Sequence, residues 1–116
     1  MMLAGRTIFI LEDELIIAFA LEDMLADMGA KVLMASTLEE GLAHAAKDEI
    51  ALAILDVNVA GHKSYPVAEA LRGRGVPIVF ATGYGDAEHP PEFAATPTLT
   101  KPYNKQQLMH AIEALL

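Results

Sequence analysis

The chain has 116 residues, 53 % of them hydrophobic, with 16 acidic against 8 basic side chains and no cysteine. This length suits one domain, residues 1–116, and so apolar a chain buries a core instead of staying disordered. The net charge of −8 opposes nucleic-acid binding, which needs a basic footprint, and the lack of cysteine excludes disulfides and thiol chemistry.

The first residues, Met1-Met2-Leu3-Ala4-Gly5-Arg6, lead into a strand-like run and not into a basic-then-apolar export signal, so the cytoplasm is expected. Thr7–Leu11 is apolar at nearly every position, as a strand covered on both faces must be. A helix is predicted from about Glu14 to Met28, with acids in its first turn and Gly29 past its end. It holds the longest aliphatic run, Leu15–Leu21, far short of the roughly 20 residues that span a bilayer. Lys31–Ala35 reads as a second strand, and Ser36 or Thr37 as the cap of a helix to about Lys47.

Ala51–Leu55 is the third predicted strand, followed by a loop over Val57–Ser64 and a helix with Pro66 in its first turn. That helix ends at Gly73-Arg74-Gly75, and Val76–Ala81 is the fourth strand. The next segment carries Gly83, Gly85 and Pro90-Pro91, so any helix before Thr96 is short. Thr98–Thr100 is a brief fifth strand, and Asn104 caps a final helix through Leu115. Strands alternating with helices predict an α/β fold with a parallel sheet, five strands and about five helices.

In such a sheet the polar residues that close the apolar runs meet at its carboxyl edge, where open α/β sheets bind ligands. They are Glu12 and Asp13, Asp56, Thr82 and Lys101. Three carboxylates held together repel one another unless a cation intervenes. Mg²⁺ suits them, with Asp13 and Asp56 as direct ligands, Glu12 through water and the Asn58 backbone carbonyl as a further donor. Taken singly, each residue has a plainer reading. The acids are helix-start acids, Thr82 forms a turn, and Lys101 is a surface lysine before Pro102, whose X-Pro bond is a candidate cis peptide that aims the lysine into the crevice.

Four motifs, Leu11-Glu12-Asp13-Glu14, Leu55-Asp56-Val57-Asn58, Ala81-Thr82-Gly83 and Thr100-Lys101-Pro102-Tyr103, resemble in order and spacing those of response-regulator receiver domains of two-component signalling, the CheY-like family. The similarity spans essentially the whole chain. It implies a flavodoxin-like (βα)5 fold with strand order 2-1-3-4-5. It makes Asp56 the phosphoacceptor, Glu12 and Asp13 the metal-holding pair, Thr82 the switch hydroxyl and Lys101 the phosphate-pairing lysine. Phe80-Ala81-Thr82-Gly83-Tyr84 is also similar to a subgroup reading Phe-Ala-Thr-Gly-aromatic, although Gly85 stands where a second aromatic is expected. Many receivers carry a switch aromatic three positions before the lysine, where this chain has Thr98. Tyr84 is the candidate substitute and, equally, a loop aromatic packed on a short helix.

The implied role is a phosphorelay domain that takes a phosphoryl group from a histidine kinase or histidine phosphotransfer protein and signals through a downstream protein partner. Its chemistry is limited to its own phosphorylation and dephosphorylation, and neither nucleic acid nor membrane is an expected partner. Part of the apolar Leu15–Leu21 run offers a docking face, core packing being the plainer use. Three other readings stay open: a pseudo-receiver that binds without phosphotransfer, a Mg²⁺-dependent aspartyl-phosphate phosphatase, and a receiver cut from a longer regulator or hybrid kinase. The phosphatase reading needs an acid two residues after the nucleophile, where Asn58 stands. The histidines, His44, His62, His89 and His110, have no metal-ligand spacing and receive no role.

Overall fold

In the computed structural model, which describes residues 2–83 and 89–116, the sequence forms β1 (Thr7–Leu11), α1 (Leu15–Asp27), β2 (Lys31–Ala35), α2 (Leu38–Lys47) and β3 (Leu52–Asp56). There follow β4 (Asn58–Val59), β5 (His62–Lys63), α3 (Tyr65–Gly73), β6 (Ile78–Thr82), a 3-10 turn at Pro91–Phe93, β7 (Thr98–Thr100) and α4 (Lys105–Leu115). The main sheet is parallel in the order β2-β1-β3-β6-β7, which is the expected order 2-1-3-4-5 once the two-residue strands are set aside. The flavodoxin-like α/β arrangement follows from strands that are apolar on both faces. Alternate residues along each strand serve two cores. Phe9, Leu11, Ala53, Leu55 and Phe80 pack with Val67, Ala68 and Leu71 of α3, while Ile8, Ile10, Leu52, Ile54 and Val79 pack with Leu21 and Leu25 of α1 and Leu108 and Ile112 of α4.

One expectation needs correction. Val57–Ser64 is not a simple loop but a hairpin, with β4 and β5 antiparallel (Asn58 opposite Lys63, Val59 opposite His62). Its two-residue turn has φ 49° at Ala60 and 85° at Gly61, the double positive φ of a type I′ turn. That turn favours Asn-Gly, and alanine at the first position hid the signal. The short helix expected before Thr96 is the 3-10 turn at Pro91–Phe93, which joins four α-helices among the described residues.

Helix termini obey local chemistry. Thr37, not Ser36, caps α2, its hydroxyl accepting from Glu40 N–H at 3.1 Å while Ser36 N–H donates back to Glu40 Oε1 at 3.0 Å. Asn104 and Gln107 make a reciprocal capping box on α4, with bonds of 2.8 and 2.9 Å. Helices α2 and α3 approach closely at Gly41, where an added Cβ meets Val67 Cγ2 at 3.2 Å and Leu11 Cδ1 at 3.3 Å. Gly41→Val is therefore expected to cost about 1–3 kcal/mol by overpacking, read as a lower urea midpoint at unchanged slope. No helix among the described residues is long and apolar enough to cross a membrane.

Candidate functional site

Register alone brings the strand-end residues together. Leu11 pairs with Leu55, which sets Glu12 level with Asp56, and Asp56 pairs with Ala81. Thr82 pairs with Thr100, so Lys101 lies one step beyond. Backbone bonds extend these ladders: Glu12 N–H donates to Ala35 O at 3.0 Å, Val57 N–H to Ala81 O at 3.0 Å and Lys101 N–H to Thr82 O at 2.7 Å. The floor of the site is thus a continuation of the sheet. Asp13, Asp56, Asn58, Ala60, Gly83 and Lys101 are among the residues that line a crevice of about 340 Å³ above it.

The acids at positions 12 and 13 lie outside the helix and do not serve its first turn. Helix α1 begins at Leu15 with Glu14 as its extended N-cap residue and no acid in its first turn. Glu12 instead turns inward and is buried at 4 % exposure, its Oε1 accepting from Glu14 N–H at 3.2 Å. The ammonium of Lys101 lies 2.9 Å from Glu12 Oε2 and 3.1 Å from Asp56 Oδ2. Asp13, exposed at the crevice mouth, accepts from Ala60 N–H at 2.9 Å through Oδ2, so the β4–β5 turn holds it. Thr82 is buried and its hydroxyl donates to Gly83 O at 3.0 Å. The Lys101–Pro102 peptide is cis. Tyr84 lies outside the described residues.

Electrostatically the site is short of positive charge. Glu12, Asp13 and Asp56 each bring one carboxylate oxygen within 4.8 Å of the others, and among the described residues the Lys101 ammonium pairs with two of them, Glu12 and Asp56. Burial, reinforced by the Asp56 carboxylate, pushes the Glu12 carboxyl up to about 7 against the opposing pull of Lys101. Burial alone would lower the Lys101 ammonium, but Glu12 and Asp56 outweigh it and hold the lysine above its ordinary value. Tyr103, half-buried, has its phenol pushed up to about 12, chiefly by that burial. Hard oxygen donors with unbalanced negative charge at a crevice mouth suit a small divalent cation.

Helix α1 carries a second feature beside the crevice. Leu15, Ile16 and Phe19 are exposed at 56, 87 and 50 %. Ile16, Ile17, Ala20, Met24, Pro102 and Tyr103 line an apolar groove of about 680 Å³ that shares Glu14, Gly83 and Lys101 with the crevice.

One residue that sequence reasoning passed over stands out. His89 bonds Tyr65 and Thr98 through its two ring nitrogens, each at 2.8 Å. Nothing local foretold this, because the contact depends on the fold bringing α3 and β7 together.

The family model for the response regulator receiver domain matches residues 8–113. Among solved structures, the chain is similar to SdrG from Sphingomonas melonis Fr1, at 41 % identity over 95 % of each chain with a TM-score of 0.85. It is also similar to SdrG in a BeF3-activated conformation, described from Pseudomonas melonis Fr1, at 42 % identity over 97 % of this chain and 98 % of that one, TM-score 0.80. The receiver domain of the sensor histidine kinase PA1611 from Pseudomonas aeruginosa PAO1, solved with a magnesium ion in its active-site cleft, shares the fold at 24 % identity, covering 96 % of this chain and 97 % of that one with a TM-score of 0.82. No curated protein matches the sequence.

Proposed function

The chain belongs to the response regulator receiver domain family, and from that membership we propose that it accepts a phosphoryl group on Asp56. The donor is the phosphohistidine of a histidine kinase or histidine phosphotransfer protein. An Asp56 oxygen forms the new P–O bond as the N–P bond breaks, and the electron pair of that bond returns to the leaving imidazole. What carries the reading is the Lys101 ammonium set between Asp56 and Glu12 in a crevice holding a third carboxylate. Lys101 is placed to exchange a carboxylate partner for phosphoryl oxygens, and Thr82 to donate its hydroxyl to another.

The donor set fits Mg²⁺, which Asp13 and Asp56 would hold directly, with Glu12 through water and the Asn58 carbonyl as further donors. When bound, the ion neutralises charge on the transferring phosphoryl group. The domain turns over its own acyl phosphate and no second substrate. Asn58 lacks the carboxyl group that a phosphatase would need two residues after its nucleophile. We take residues 1–116 as one receiver domain working in the cytoplasm and passing its state to a protein partner. Titration with beryllofluoride and Mg²⁺, followed by amide NMR, tests the site. Saturable shifts at Val57 and Gly83 that EDTA reverses are expected, and their absence refutes the reading.

The donor protein is read as docking a helix in the apolar groove, because that groove runs continuously from the exposed α1 residues into the crevice. Ile16→Asp is expected to slow transfer from a phosphohistidine donor about tenfold or more, as loss of one well-buried apolar anchor does. Labelling by acetyl phosphate and the stability of the fold, within about 0.5 kcal/mol for so exposed a residue, should not change. Equal loss with both donors would refute the docking role.

A further inference from the structure

Thr98 occupies the place of a β7 aromatic, yet the corner around it is full of rings. Phe80 is fully buried and meets Tyr65 edge-on at 5.5 Å and Phe93 edge-on at 5.6 Å. His89 lies over Phe80 with ring centroids 4.6 Å apart, supplying the ring that β7 lacks. Phe80 pairs with Thr98 and Thr82 with Thr100. Side chains two apart share a face of the sheet, so Thr82, Phe80, Thr98 and Thr100 line one side of it.

The hydrogen bonds give this corner a direction. Thr98 Oγ1 donates to Thr96 O at 3.2 Å and is left to accept from His89 Nε2–H at 2.8 Å. Nδ1 of the same neutral ring then accepts from the Tyr65 hydroxyl at 2.8 Å. Burial favours that neutral form by holding the imidazole below its ordinary value. His89 therefore ties the segment after β6 both to the edge strand β7 and to the first turn of α3. A bonded ring of this kind has discrete arrangements, bonds made or bonds broken, and does not deform by degrees.

We propose that His89 transmits the state of Asp56 to β7 and α3, in the role an aromatic on β7 would otherwise fill. The proposal rests on Asp56 being the phosphoacceptor. A pull on the Thr82 hydroxyl moves the end of β6, and Phe80 lies two residues back on the same rigid strand and face. His89, in ring contact with Phe80 and bonded to Thr98, registers that movement where a partner protein can read it.

The test is NMR of isotope-labelled protein titrated with beryllofluoride and Mg²⁺. The ring resonances of His89 and the amides of Thr98 and Leu99 should shift with the same midpoint as Val57 beside Asp56. In Thr98→Val the Val57 midpoint should stay within about twofold while the Leu99 response falls by more than half, because the coupling and not the site is lost. Thr98→Ser, which keeps the hydroxyl, should restore that response. A silent His89 ring beside a responding Val57, or a full Leu99 response in Thr98→Val, overturns the coupling. If Val57 itself is silent in the wild type, the phosphoacceptor reading fails and takes the coupling with it.

Discussion

Incubated with acetyl phosphate and Mg²⁺, the wild-type chain should gain the mass of one phosphoryl group, whereas Asp56→Asn should gain none. A carboxamide has nearly the shape of a carboxylate but not its nucleophilic oxygen, so the rate should fall at least ~10³-fold, as when a covalent nucleophile is removed. The substitution should leave the fold intact. Lys101 keeps Glu12 as a partner at 2.9 Å, and the loss of the Asp56 charge relieves one of the influences that raise the Glu12 carboxyl. The urea midpoint should accordingly correspond to a change of no more than about 1 kcal/mol, which separates lost chemistry from lost structure. Phosphate incorporation equal to wild type would place the acceptor elsewhere, Asp13 and Glu12 being the neighbouring carboxylates among the described residues.

The strand ends were readable because two signals coincided. Ala51–Leu55 and Val76–Ala81 are apolar throughout, so a polar residue closing either run has to lie at a sheet edge, and parallel pairing puts all those edges on one side. Register then brings Glu12 level with Asp56, a consequence of which strands are neighbours. What escaped notice depends on contacts distant in sequence or on a turn with an unusual residue. Ala60 sits at φ 49° without the Asn that marks such turns, so the hairpin that holds Asp13 has no turn signature in the sequence. The helix-start reading that Glu12 and Asp13 also permit is removed by the start of α1 at Leu15. His89 had no local pattern at all, since its partners Tyr65 and Thr98 lie 24 and 9 residues away.

Removing the Lys101 ammonium should produce the largest loss of stability, one that deepens as pH rises. Lys101→Met keeps most of the aliphatic stem, so the change falls mainly on the charge. Glu12, 4 % exposed, and Asp56, 7 % exposed, would then share the crevice without their cation. Breaking a buried pair by deleting one partner costs about 3–5 kcal/mol, because an uncompensated charge stays behind. Part of that cost can be avoided at low pH. The Glu12 carboxyl is already raised to about 7 from 4.5 by burial while Lys101 opposes the shift, and without the lysine it rises further.

The sign follows from proton binding. Between the unfolded value of 4.5 and the raised folded value the native state holds a proton that the unfolded state has released. Stability therefore falls with rising pH across that window, by up to about 1.4 kcal/mol per pH unit for one proton. In Lys101→Met the window extends upward, so the deficit relative to wild type should be smaller near pH 5 than at pH 8. Mg²⁺ should narrow the pH 8 deficit by supplying positive charge among the same carboxylates, visible as a larger rise in Tm for the variant than for the wild type. A deficit that is the same at pH 5 and pH 8 would mean that the lysine contributes by packing, and that the buried carboxylates do not depend on its charge.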